Sequence, residues 1–171
     1  MHQSSFSIDP VLLRPKSRGY LKLRSRNPYE HPIIDPKYLS HPDDVATIVD
    51  GMKLAIDIGS SRAFRRKFNS RLFDMPLPGC EVYPFLSDPY LECVARTLTW
   101  TIYHPVGTCK MVDRANDDGS GVVDTELRVL GGVQALRVVD ASIMPTIVSG
   151  ETDKNDICFC ISQLLLPVSS L

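Results

Sequence analysis

No G-x-G-x-x-G follows a strand anywhere in this sequence, and no G-x-x-x-x-G-K-[ST] occurs. Neither of the two common glycine-rich phosphate cradles is therefore present. Gly119 and Gly121 form a lone G-x-G inside the acidic stretch "NDDGSG", which reads as a turn. Net charge is nearly absent too. A value of −1 over 171 residues gives no electrostatic reason to bind nucleic acid or an anionic membrane. The one local exception is basic, "RAFRRKFNSR" from Arg62 to Arg71. Its spacing favours a helix with Ala63, Phe64 and Phe68 as an apolar stripe and the arginines in solvent. Cys80, Cys93, Cys109, Cys158 and Cys160 show no paired C-x-x-C spacing, so neither a disulfide framework nor a structural zinc site is expected. The opening "MHQSSFSIDPVLL" has no charged region leading into a long apolar one, so no signal peptide is expected. The longest apolar run, "ICFCISQLLLPV", is too short to span a bilayer.

What is there has the make-up of a globular domain, with 43% hydrophobic and 23% charged residues. The first forty residues are broken by Pro10, Pro15, Pro28, Pro32 and Pro36. Between these prolines, "SIDPVLLRP", "GYLKLRS" and "HPIIDPKYL" read as short strands, the second with one wet face because Tyr20, Lys22 and Arg24 alternate with leucines. Ser40 with Asp43, and Pro42 in the first turn, start a helix with the stripe Val45, Ile48, Val49, Met52, Ala55 and Ile56; Gly59 ends it. A shorter basic helix follows from about Ser61, then the proline-rich loop "DMPLPGCEVYPF". Asp88 and Pro89 start a third helix whose stripe, Leu91, Val94, Ala95, Leu98 and Ile102, runs into His104. Pro105 is expected to stop it, placing His104 at a helix C-terminus, which favours the charged imidazole. Two strands, "VVDTELRVL" and "ALRVVD", come next, with a tight reversal at Gly131 and Gly132. The order is strands, helices, strands: an α+β or α/β pattern.

The stretch "TIYHPVGTCKM", Thr101 to Met111, is the one segment built for chemistry. His104 can be a catalytic base, a metal ligand with Cys109, or an ordinary histidine finishing a helix. The metal reading is the weakest, because His2, His31 and His41 all lie far away in the proline-rich start. Two features raise the catalytic reading over the ordinary one. "PVGTC" after the histidine supplies small residues and backbone N–H groups open to a ligand. "LRVVDASIMP" sets an aspartate and two small residues directly after an apolar strand, where α/β folds bind ligands. Imidazole is also the side chain suited to act as a neutral base at physiological pH.

The combination "YHPVGTCKM" and "GVVDTELRVLGGVQALRVVDASIMPTIVSG" resembles the C-terminal signature of the glucose–methanol–choline (GMC) family of FAD-dependent oxidoreductases, most like its insect glucose-dehydrogenase-like members. "LLRPKSRGYLKLRSRNPYEHPIIDPKYLSHPDDV" resembles the opening of the same family's substrate domain, so the likeness covers about Asp9 to Gly150. The resemblance implies an α+β fold: a GMC-type substrate domain, an antiparallel sheet flanked by helices, with the C-terminal strands of an FAD-binding domain whose N-terminal half is missing here. It divides the chain into a substrate-domain portion (1–100), a segment with the catalytic histidine and FAD contacts (101–150) and a divergent tail (151–171). By the same resemblance His104 is the base that takes the hydroxyl proton while hydride passes to the flavin. Tyr103, Val106 and Gly107, with Asp140, Ala141 and Ser142, bring backbone around the FAD. A small-molecule alcohol or sugar is the implied partner, and no oligomeric state or compartment follows, although an extracellular place suits the full-length family member.

Two departures from the family pattern shape what is expected. Family enzymes are far longer, so the chain is expected to be a C-terminal fragment that holds FAD poorly alone and exposes apolar surface. After "SG" the family's second catalytic residue is an asparagine or histidine, whereas this chain has Glu151 there, and Asp153 at the next landmark. An ionised Glu151 would repel the negative charge developing on the substrate oxygen by roughly 4 kcal/mol at about 4 Å and intermediate screening. Loss of a donor adds about 3 kcal/mol. The alternative to an active enzyme is therefore a non-catalytic truncated product or pseudoenzyme that keeps the fold.

Overall fold

The structure is a computed structural model that describes residues 5–116 and 118–149. Its regular elements are β1 (Tyr20–Lys22), β2 (Ile33–Asp35), α1 (Pro42–Gly59), α2 (Arg62–Phe68) and α3 (Asp88–Leu98), with 3-10 turns at Arg114–Asn116 and Ala141–Ile143. β1 and β2 form a two-stranded sheet. The chain divides into two compact units. One comprises the residues up to Gly19 with Ile34–Trp100, the other Tyr20–Ile33 with the chain from Thr101 onward. Among the described residues no helix is long and apolar enough to cross a membrane.

The first unit is built on the apolar faces of α1 and α3. Val45 and Val49 from α1 meet Tyr90, Leu91 and Ala95 from α3, with Leu39 and Cys80 filling the same buried cluster. α1 starts one residue later than the Ser40 pattern suggested. His41 is its cap, Nδ1 accepting from the Asp43 N–H at 3.2 Å. Pro42 explains the shift: its fixed φ makes it the first helical residue, so the residue before it becomes the cap. Asp44, buried in the first turn, accepts from the Lys16 N–H (2.8 Å), the Ser17 N–H (2.8 Å) and the Ser17 hydroxyl (2.5 Å). Burial pushes this carboxyl up, and those donors more than offset it, holding Asp44 below the usual carboxylate range. Lys53 on α1 pairs with Asp88 at the start of α3 at 2.7 Å.

Contrary to the expectation from cysteine spacing, Cys80 and Cys93 are joined in a disulfide. It clamps the proline-rich loop to α3, and the Leu77 N–H donates to the Tyr90 hydroxyl at 3.0 Å beside it. The spacing rule failed because the two cysteines belong to a loop and a helix that meet only in three dimensions. α2 also differs in its packing. Phe64 is half-buried against Phe6, ring centroids 5.6 Å apart, but Ala63 and Phe68 are exposed, so the stripe is only partly covered. No strand forms over residues 7–15, and β1 is exposed at all three residues rather than on one face.

Among its described residues the second unit contains no long ladder. "VVDTELRVL" and "ALRVVD" are held by single bridges, Met111 with Val123, Val123 with Val129, and Arg128 with Arg137. The reversal around Gly131 and Gly132 is wider than a two-residue turn, since the Val129 N–H reaches Leu136 O at 3.0 Å. Val123, Leu127 and Ile143 make the small core of this unit, packed by Met111, Val122, Val129, Val138 and Val139. Gly121 is required by close approach: a Cβ there would lie 2.0 Å from Val112 Cγ2. The lone G-x-G thus serves packing at its second glycine.

Candidate functional site

α3 ends at Leu98, with Thr99 as its cap at ψ 130, six residues short of His104. The expectation that His104 finishes a helix is therefore overturned, and with it the helix-end argument for a charged imidazole. The cause lies in the β-branched run Thr97, Thr99, Thr101 and Ile102, which disfavours further helix. Thr99 Oγ1 also donates back to Ala95 O at 2.6 Å. Trp100 and Ile102 are exposed, so the apolar stripe stops packing at Ala95.

His104 is half-buried in chain without regular secondary structure. The residue before it, Tyr103, is 83% exposed and sits at φ 65, a left-handed conformation that costs a bulky side chain of order 1–3 kcal/mol. Its N–H donates to Thr101 Oγ1 at 3.0 Å. Val106 and Gly107 are half-buried, and Gly107 sits at φ 88, which glycine alone adopts without penalty.

Asp140 is the cap of the 3-10 turn Ala141–Ile143. Its Oδ1 accepts from the Ser142 N–H at 2.8 Å and also from the Ser142 hydroxyl. The carboxylate thus fixes the short run of backbone that follows it. Ile143, fully buried, and Met144, buried, anchor the same turn.

The two candidate segments meet. The Cys109 N–H donates to Ser142 O at 2.9 Å and the Met111 N–H to Ile143 O at 2.8 Å. A Cβ on Gly107 would lie 3.5 Å from Met144 O. His104, Val106, Gly107, Asp140 and Ala141 therefore belong to one unit, on two stretches joined by backbone hydrogen bonds. Glu151 lies outside the described residues. Among the described residues no group of three or more His, Cys, Asp or Glu side chains could hold a metal ion.

Sequence reasoning missed the strongest polar feature of this unit. Asp124 is 2% exposed and accepts four hydrogen bonds. Oδ1 receives the Glu126 N–H (3.0 Å) and the Arg128 N–H (2.9 Å). Oδ2 receives Arg128 Nε (2.9 Å) and Arg114 Nη2 (2.7 Å). Burial pushes the carboxyl up, but the backbone and guanidinium of Arg128 and the Glu126 N–H outweigh it and hold Asp124 at about 2. The available signal was an aspartate directly after two valines with an arginine four residues on.

Comparison with known proteins places these segments in a family. The C-terminal-domain model of GMC oxidoreductases matches residues 15–154. Glucose dehydrogenase [FAD, quinone] of Drosophila melanogaster is 42% identical over 148 residues, 86% of this chain and 23% of that protein. Alcohol dehydrogenase [acceptor] of Pseudomonas putida is 42% identical over 141 residues, 82% of this chain and 23% of that protein. An FAD-dependent oxidoreductase from Chaetomium thermophilum, solved with a bound fragment, superposes with a TM-score of 0.75 at 27% identity, over 88% of this chain and 24% of that one. The chain thus spans about a quarter of the length of the relatives it matches.

Proposed function

The chain belongs to the GMC oxidoreductase family, and on that premise we propose that it supplies the base and a flavin-facing backbone edge of an FAD-dependent oxidoreductase. The substrate class is the CH–OH group of an alcohol or sugar. The observation that carries the reading is the backbone pairing of Cys109 with Ser142 and Met111 with Ile143 at 2.9 and 2.8 Å. It joins the histidine segment to the aspartate-capped turn, the two stretches that the resemblance assigns to substrate and cofactor.

The residues suit the reacting end of the cofactor. Gly107 adds no side chain, Ala141 and Ser142 are small, and Asp140 keeps its turn in one conformation through the Ser142 N–H at 2.8 Å. Tyr103, Val106, Gly107, Asp140 and Ala141 would hold it by close backbone approach. When bound, FAD would supply the hydride acceptor for the substrate carbon. His104 would take the hydroxyl proton on a ring nitrogen, which is general-base catalysis and contributes about 10²–10⁴ in rate. Half-burial of the imidazole limits competing water.

The test is to load the protein with FAD and present alcohols and sugars without oxygen. Bleaching of the visible flavin band by one of these classes is expected, and a loaded protein bleached by none of them sinks the reading. A second reading, a member that keeps the fold without catalysis, is favoured by Glu151 in place of an amide or imidazole. Glu151→Asn separates the two: it raises turnover if the carboxylate opposes an active site and changes nothing in a protein with no reaction. The Cys80–Cys93 disulfide supports maturation in an oxidising compartment. Labelling of both cysteines in freshly isolated, unreduced protein argues against that.

A further inference from the structure

Neither the histidine segment nor the 140–144 turn holds itself in place by regular secondary structure. The two share backbone hydrogen bonds, but each must also be anchored from the far side. Both anchors lead to one loop. Lys110 O accepts from the Val122 N–H at 2.8 Å, and the Val112 N–H donates to Val123 O at 3.0 Å. This fixes the stretch that continues from His104 through Cys109. On the other side the Val138 N–H donates to Leu127 O at 3.1 Å, two residues before Asp140. Val123 and Leu127 bracket Asp124, and Leu127 is held at φ 65.

The loop that ties the two together is folded around the Asp124 carboxylate. Its main chain closes on itself, Asp124 N–H to Arg128 O at 3.0 Å and Leu127 N–H to Asp124 O at 2.8 Å. Its side chain takes the Glu126 and Arg128 amides on one oxygen and the guanidiniums of Arg128 and Arg114 on the other. Arg114 comes from the 3-10 turn that leaves the histidine stretch, so the carboxylate also holds that stretch after Val112. A buried charge with every acceptor site used admits one arrangement of its donors, whereas an apolar residue there would leave two amides without an acceptor, release Arg114 and leave Arg128 only Glu126 Oε1 at 2.9 Å.

We infer that Asp124 is a positioning residue for the candidate active site: a buried carboxylate that sets the register of the His104–Cys109 stretch against the Asp140–Met144 turn. The inference rests on the proposed role of those two stretches. It adds a residue that touches neither substrate nor cofactor and acts through Val123 and Leu127.

The prediction follows from the chemistry of Asp124→Asn. One oxygen still accepts the two amides, but an NH₂ group now faces two guanidiniums, donor against donor. Backbone amide exchange measured on the chain itself should quicken by about tenfold or more at Cys109 and Met111, while the amides of α1 and α3 exchange as before. Arg114→Gln removes one of the two guanidiniums and should quicken the same amides by a smaller factor. It serves where the asparagine variant does not fold. In FAD-loaded protein Asp124→Asn should lower kcat with little change in KM and alter the visible circular dichroism of the flavin. Asp124→Glu, which keeps the charge, should restore part of both.

Unchanged exchange at Cys109 and Met111 in both variants overturns the inference. So does exchange that quickens equally across both units, since Asp124 would then support folding in general and position nothing. If those two amides respond but FAD-loaded wild-type protein is bleached by no alcohol or sugar, the positioning role stands and the flavin reading falls.

Discussion

The two units solve the same problem by different means. The first stacks Val45 and Val49 of α1 on Tyr90, Leu91 and Ala95 of α3 and ties its longest loop down with the Cys80–Cys93 disulfide. Among its described residues the second has three isolated bridges, a core of Val123, Leu127 and Ile143, and a buried carboxylate ringed by four donors. One is held by area and a covalent bond, the other by directed polar contacts. Area tolerates small rearrangements, whereas a satisfied polar network specifies one. It is the second kind of unit that carries His104 and the Asp140 turn, where the proposed chemistry needs close placement.

Removing the centre of the polar network should have the largest effect on stability. Asp124→Ala leaves the Glu126 and Arg128 amides without their acceptor, at a cost of about 1–3 kcal/mol each. Exchange protection should fall in the second unit and persist in α1 and α3. Equal loss in both would erase the contrast between them. Next comes the covalent tie. Reduction, or Cys93→Ser, releases a loop closed across 13 residues and should cost the first unit about 3 kcal/mol, read as a lower melting temperature of the helical signal in reductant. No change in that signal would show that the apolar faces suffice alone.

Gly121→Ala should cost about 1–3 kcal/mol in the second unit, because the added Cβ meets Val112 Cγ2 at 2.0 Å. Urea unfolding followed by intrinsic fluorescence measures it, and a neutral result would mean that the packing there yields easily. Acid should also act unequally. Asp124 is held at about 2 in the fold, below the ordinary carboxylate value near 3.9. Its stabilising share is therefore full above about pH 4 and lost as pH falls towards 2. Asp44 is depressed as well, but its unit keeps the disulfide at low pH. Acid unfolding followed by amide exchange should begin in the second unit. The smallest effect expected is that of Tyr90→Phe, which strips the Leu77 N–H of its acceptor for about 1 kcal/mol.

The same contrast explains what could be read from the sequence. The 3.6-residue spacing of Val45, Val49 and Met52, and of Leu91 and Ala95, records burial on one helix face, so α1 and α3 were visible with their proline starts. The exact cap was less so, because His41 rather than Ser40 precedes the proline that fixes the first turn. The disulfide was invisible, since its partners approach only once the loop lies on α3. In the second unit the residues of the candidate site could be picked out as a pattern, His104 through Gly107 and Asp140 with Ala141, but their placement could not. The stripe through Ile102 suggested more helix than Thr97, Thr99 and Thr101 allow, and periodicity is blind to Asp124, whose partners are two backbone amides and two arginines.

The central claim is that His104 is the proton acceptor of an alcohol or sugar oxidation performed next to the Asp140 turn. The direct measurement is turnover and flavin content of His104→Ala beside the wild type in FAD-loaded protein. Turnover should fall by about 10²–10⁴ while bound FAD stays the same. A variant that keeps its flavin and turns over at close to the wild-type rate would contradict the claim.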